Sequence, residues 1–288
     1  MNDNVIEFAL YDSLETTSNE VFQKMELFST QFYTRLISRS KLRGSCFDAT
    51  ESEINHINVC RWTKDTNIFD GKKILLFPIN EENFHWYLIL VVLPDVSCGV
   101  APYIAVLDSM GGNRDSVAEH IRNYLLEELK CKKMTTTFME KALSKMEIIY
   151  PRIPQQPDGS SCGVYLVHYV KQLVKGVENN LLSKVFDDTT SWSNEDELRR
   201  LRFEIAQLII KTAKNQGIVF NVPDIQLFPT VAEDKAEKRK LTNKKDTNVA
   251  VKKNMDGTHT KVYQSYANYL SSVKSREKDI VLRRKYDF

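Results

Sequence analysis

The run from Cys162 to Val174, CGVYLVHYVKQLV, is apolar nearly all the way round a helical wheel, with Val164, Leu166, Val167, Val170, Leu173 and Val174 leaving little polar face. Such a helix is buried on most sides, so the rest of the chain has to wrap it. Three apolar runs of strand character, Lys73–Ile79, Trp86–Leu93 and Tyr103–Leu107, supply a sheet. Helical spacing precedes them over 4–12 and 19–39, the second with Val21, Met25, Phe28, Phe32 and Leu36 on one side. It follows them over 115–130 and 137–145. Glu147–Ile153 reads as a further strand, and 195–214 as an amphipathic helix with Asn194 and Glu197 at capping-box spacing. Residues 40–58 show no clear period and read as a loop. Helices, then sheet, then helices give an α+β fold. Gly163, next to the cysteine, lets a neighbouring element approach closely.

The chain has 288 residues, 42% hydrophobic and 27% charged, enough for one sizeable domain with appendages. Its net charge of +2 is unevenly spread: residues 231–288 hold 15 Lys/Arg against 8 Asp/Glu, so that the tail is basic and the body acidic. The expected division is a folded domain over 1–230 and a tail over 231–288, too poor in apolar residues to fold alone except for a helix near its end. No apolar run approaches the ~20 residues of a membrane-spanning helix, and MNDNVIEFALYD has acids where a secretory signal carries bases. Five cysteines, with no C-x-x-C pair, argue against a zinc site or a disulfide framework and for a reducing compartment.

Cys162 is the candidate nucleophile. It stands where Pro157, Asp158 and Gly159 force a turn and a helix begins, and free N–H groups at a helix start favour a thiolate. A base and an orienting group lie in the sheet. The runs on either side of PDVSCGVAP pair as a hairpin; setting His85 opposite Asp108 also sets Pro94 opposite Gly99, a six-residue connection. An aspartate bonded to a histidine fixes the ring's tautomer and stabilises its charged form, which holds a nearby thiolate. Gln156, across the turn from Cys162, is placed to offer its amide to a developing oxyanion, with the Cys162 backbone N–H as second donor. His168, six residues past the cysteine, reads as structural, and Cys46, Cys60, Cys98 and Cys131 read as inert or exposed thiols.

FPINEENFHWYLILVV, YIAVLDS and QQPDGSSCGVYLVHYV, taken in that order, resemble the three catalytic blocks of the SUMO/sentrin-specific (Ulp/SENP-type) cysteine proteases, in the clan of the adenovirus protease. NDNVIEFALYDSL resembles the family's opening block, while QFYTRL and VCRWTKDTNIF resemble the branch that trims SUMO chains. The resemblance spans roughly residues 2–230. It implies a papain-like α+β core with a central mixed sheet, the cysteine on a central helix and the His/Asp pair on the sheet. It implies cleavage after the C-terminal Gly-Gly of SUMO or a similar modifier, from a lysine isopeptide or a precursor tail, without metal or other cofactor. Trp86 matches the tryptophan that roofs a narrow diglycine tunnel, through which only residues lacking side chains pass.

Two departures stand out. Residues that precede the opening block in relatives, and supply part of the tunnel's other wall, have no counterpart before Met1, which implies a truncated edge. Ser161 occupies a position where the family often carries Asp, a change expected to be harmless. Alternatives remain open: a non-catalytic modifier-binding module, a protease for another diglycine-ended modifier, and acetyl transfer on the same residue set. The stretch KAEKRKLTNKK in the tail reads as a nuclear-import signal, a weak nucleic-acid contact or a solvated linker. The expected location is the nucleus, alone or with the cytoplasm.

Overall fold

The structure, a computed structural model, describes residues 1–38, 49–81, 84–94, 101–179, 186–187, 192 and 195–218. Met1–Leu208 form one compact unit; of a second, Ile209–Phe288, only residues 209–218 are described. The expected tail over 231–288 therefore lies outside the described residues, as do Cys46, Cys98 and Asn194.

Five strands form one sheet in sequential order: β1 (Met25–Leu27), β2 (Ile74–Glu81), β3 (His85–Val92), β4 (Tyr103–Leu107) and β5 (Glu147–Ile149). The outer pairs β1–β2 and β4–β5 are parallel and the inner pairs antiparallel, so the sheet is mixed. Every residue of β3 is buried, the mark of a central strand covered on both faces.

Odd-numbered side chains of β2 and β3, among them Phe77, Tyr87, Ile89 and Val91, join one core with the even-numbered Ile104 and Val106 of β4. That core is closed by α3 (Phe32–Leu36), α4 (Glu51–Val59), α5 (Asp115–Cys131) and α6 (Thr137–Ser144). Phe28, Phe32, Phe77 and Tyr124 meet edge-on or stacked at its centre. Against β3 also packs α7 (Cys162–Glu178), the expected buried helix, which is covered in turn by α1 (Asp3–Glu15). The remaining helices among the described residues are α2 (Asn19–Lys24) and α8 (Glu195–Asn215).

Three local expectations are corrected. The helix expected over 19–39 is instead α2, β1 and α3. Its apolar positions Val21, Met25, Phe28, Phe32 and Leu36 are all buried as expected, but pairing of Met25 and Leu27 with Ile74 and Leu76 pulls the middle into the sheet. Tertiary hydrogen bonding outweighs a helical period here.

The loop expected over 40–58 contains α4, which starts at a Thr50–Glu53 capping box. Its inward side is largely polar: His56 bonds Glu128 at 2.6 Å, and Asn58 donates to the Leu36 carbonyl at 3.0 Å. A face of that kind leaves no hydrophobic period to read. Finally, the strand expected over 147–153 stops at Ile149, two residues before Pro151, which has no N–H to give a ladder.

Candidate active site

Cys162 is the first residue of α7, and the loop ahead of it is braced by one carboxylate. Asp158 Oδ1 accepts the backbone N–H of Ser160 at 2.7 Å and of Ser161 at 2.8 Å, while Oδ2 accepts the Ser161 hydroxyl at 2.7 Å. Ser161 is the N-cap residue yet gives α7 no side-chain cap, because its hydroxyl is turned toward Asp158. From α8, the Arg202 guanidinium donates to the Ser160 carbonyl at 3.0 Å. The helix start is thus held in place, with Cys162 buried at 7% exposure.

The antiparallel ladder of β3 and β4 ends at Leu88↔Leu107, so residues 85–87 have no partner on the β4 side. The chain leaving β4 turns in at that gap. There His85 Nε2 donates to Asp108 Oδ1 at 2.7 Å, both side chains being buried. The hairpin register differs from the expected one: Val92 pairs with Tyr103, which would set His85 opposite residue 110 rather than 108. A shift of two, unlike a shift of one, keeps the same face, so the expected His–Asp contact forms as a diagonal neighbour.

Asp108 is fully engaged. Its Oδ1 also accepts the Met110 N–H at 2.9 Å, and its Oδ2 accepts Arg114 Nε at 3.0 Å. Burial alone would raise the Asp108 pKa; the bonds from His85, Met110 and Arg114 outweigh it and hold the carboxyl below its ordinary value. Arg114 also bonds Glu81 at 2.8 Å and lies 4.7 Å over the ring of Tyr87.

The histidine and the cysteine shift each other. Burial pushes the His85 pKa down, but its bond to Asp108 and its interaction with the Cys162 sulfur carry it up to about 9. Burial pushes the Cys162 thiol up; His85 and the backbone N–H groups of Trp86 and Gly163 reverse that and lower it. Nδ1 of His85 is buried and makes no hydrogen bond of ordinary geometry among the described residues, yet His85 is the largest of the influences that lower the thiol. The combination favours a thiolate beside an imidazolium.

Trp86 is 4% exposed, and its backbone N–H is one of the groups that lower the Cys162 thiol. Gln156 sits on the same loop as Asp158. Its backbone N–H donates to the Ser109 carbonyl at 2.9 Å, its Oε1 accepts the Ser109 hydroxyl at 2.6 Å, and its Nε2 donates to the Asp158 carbonyl. His168, fully buried, bonds the Trp192 carbonyl at 2.8 Å, away from the sulfur. Cys60 is partly exposed and Cys131 exposed, both free thiols. Among the described residues no group of three His, Cys, Asp or Glu side chains is placed to hold a metal ion, and no helix is long and apolar enough to cross a membrane.

Sequence reasoning did not single out Arg114, Ser109 or Arg202. The Gly111-Gly112 pair was the available signal for Arg114. Both glycines adopt positive φ, +72° and +118°, and the turn they make returns the chain to Asp108.

Residues 1–204 match the model of the Ulp1 protease family, C-terminal catalytic domain. The chain belongs to this family. Among curated members, ubiquitin-like-specific protease 2 of Schizosaccharomyces pombe is 26% identical over 62% of this chain and 31% of its own length. Sentrin-specific protease 7 of Mus musculus is 24% identical over 73% of this chain and 26% of its own length. The chain thus spans about a third or less of the curated relatives it matches.

Among solved structures, a de-sumoylating protease superposes with a TM-score of 0.55 at 18% identity, covering 76% of this chain and 85% of the other. The C-terminal Ulp1 protease domain, solved in complex with Smt3, the yeast ortholog of SUMO, superposes with a TM-score of 0.51 at 23% identity, covering 74% and 77%. At these identities the likeness is one of fold, and it is the α+β architecture with a mixed sheet described above.

Proposed function

We propose that this chain is a cysteine protease that releases SUMO, or a similar ubiquitin-like modifier, by cutting after its C-terminal Gly-Gly. The observation that carries the reading is His85 bonded to Asp108 on one side and coupled to the Cys162 sulfur on the other. The names of the family members above, ubiquitin-like-specific and sentrin-specific proteases, point to the substrate class.

In this mechanism the Cys162 thiolate attacks the carbonyl carbon of the terminal glycine. The oxyanion is held by the Cys162 backbone N–H at the start of α7 and by an amide N–H of Gln156. Asp108 keeps the imidazolium oriented, and His85 delivers its proton to the departing lysine amine, leaving a thioester. Water activated by neutral His85 then hydrolyses the thioester and regenerates the thiol. Trp86 forms the roof under which the diglycine passes.

Turnover of a SUMO whose terminal glycine carries an aminocoumarin tests this. Wild-type protein is expected to release the fluorophore, and Cys162→Ser to release essentially none while still binding SUMO. Affinity without turnover in the wild type would instead mark a binding module. The reading includes nuclear import through the basic stretch of residues 235–245. Unchanged nuclear enrichment of a fluorescent fusion lacking 235–253 would remove that part.

A further inference from the structure

A glutamine amide has one acceptor oxygen and two N–H donors, and the surroundings of Gln156 account for two of these three capacities. The oxygen accepts a hydrogen bond from the Ser109 hydroxyl at 2.6 Å. One N–H goes to the Asp158 carbonyl. The second N–H has no acceptor among the described residues.

The amide is also locked in this sense. Exchanging its oxygen and nitrogen would set Oε1 against the Asp158 carbonyl oxygen, acceptor facing acceptor. Ser109 is 1% exposed, and its own carbonyl accepts the Gln156 backbone N–H at 2.9 Å. One residue therefore holds Gln156 twice, by main chain and by side chain. The segment leading into Gln156 is fixed as well: Gln155 Nε2 donates to the Asp108 carbonyl at 3.2 Å, and Tyr169 of α7 donates to the Pro154 carbonyl at 2.5 Å.

We propose that Ser109 is a positioning residue for the reaction, whose hydroxyl orients the Gln156 amide so that its remaining N–H is preset as the oxyanion donor. The inference rests on the protease reading above. The physical ground is that a donor helps a transition state only when its direction is set beforehand, and the terminal torsion of a glutamine is otherwise broad and close to two-fold. Ser109 directly follows Asp108. The end of β4 then sets both halves of the machinery, the base through Asp108 and the oxyanion donor through Ser109.

A double-mutant cycle on a SUMO-aminocoumarin substrate tests this, because a residue acting through another loses its effect once that other is gone. Gln156→Ala is expected to lower kcat about 100-fold, the loss typical of one oxyanion donor. Ser109→Ala is expected to lower kcat at least about tenfold with KM changed less than about twofold, and the double variant to be no slower than Gln156→Ala. The pH dependence of Cys162 alkylation by iodoacetamide should stay as in the wild type, since His85 and Asp108 keep their bond. A general loosening of the fold would shift it.

Wild-type kcat in Ser109→Ala, or a double variant slower than Gln156→Ala by the full Ser109→Ala factor, overturns the proposal. Should Ser109→Ala fold poorly, Ser109→Cys keeps the volume with a much weaker donor, and wild-type kcat there overturns it equally. Absence of turnover in the wild type would be a different result, striking the protease reading itself.

Discussion

Arg114 donates Nε to Oδ2 of Asp108 at 3.0 Å, on the opposite side of the carboxylate from His85. The buried carboxylate is thereby gripped at both oxygens, and the guanidinium is itself held by Glu81 and the face of Tyr87. A carboxylate held by one partner can rotate away from the ring it orients; one held by two cannot. Losing one member of a buried ion pair costs ~3–5 kcal/mol, and the partial exposure of Arg114 puts Arg114→Ala near ~3. Urea unfolding is expected to show that loss, with kcat down at least about tenfold as Asp108 loses its orientation. Arg114→Lys keeps the charge without the planar fork and should fall between.

The pH dependence has a stated sign. His85 is raised to about 9 and Cys162 is lowered, so the thiolate–imidazolium pair is populated from the depressed pKa of the thiol up to about 9. Alkylation of Cys162 by iodoacetamide should stay fast below the pH at which ordinary thiols become protonated. In His85→Ala that limb should move up toward ordinary thiol behaviour. Turnover should fall as pH passes about 9, where His85 no longer carries the proton owed to the leaving amine. A raised histidine stabilises the fold fully below its unfolded value of ~6.5 and ceases to do so through about 9. The gap between the thermal melts of wild type and His85→Ala should therefore narrow on the alkaline side, leaving the pH-independent cost of removing a buried ring.

Gly163 is where α1 meets the start of α7. A Cβ built there lies 2.9 Å from Ile6 Cδ1 and 3.2 Å from Met1 Cβ, and Ile6 is fully buried. Overpacking of this kind costs ~1–3 kcal/mol, and the better helix propensity of alanine recovers ~1. Gly163→Ala is expected to lose about 1 kcal/mol by urea unfolding. It should also lower kcat, because the side chains of Ile6 and Met1 have to repack one residue from Cys162.

The central strands were legible because β2, β3 and β4 are continuous apolar runs covered on both faces, a pattern set by burial alone. β1 was not, because three residues borrowed by an edge pairing carry no period of their own. Nor was α4, whose inward face sets His56 and Asn58 beside the single apolar Val59. At the site, Cys162, His85 and Asp108 could be read because each stands at the end of a legible element. Arg114 and Ser109 could not: they reach their partners only through the turn at Gly111-Gly112 and the path of 153–158 beside it, which no local pattern specifies.

Trapping by SUMO with a C-terminal vinyl sulfone, followed by peptide mapping, addresses the nucleophile and its substrate together. One covalent adduct is expected, located on Cys162, absent in Cys162→Ser and formed far more slowly in His85→Ala. Adduct on Cys60 or Cys131 with Cys162 unmodified, or no adduct from any diglycine-ended modifier while iodoacetamide still alkylates Cys162, would contradict the assignment.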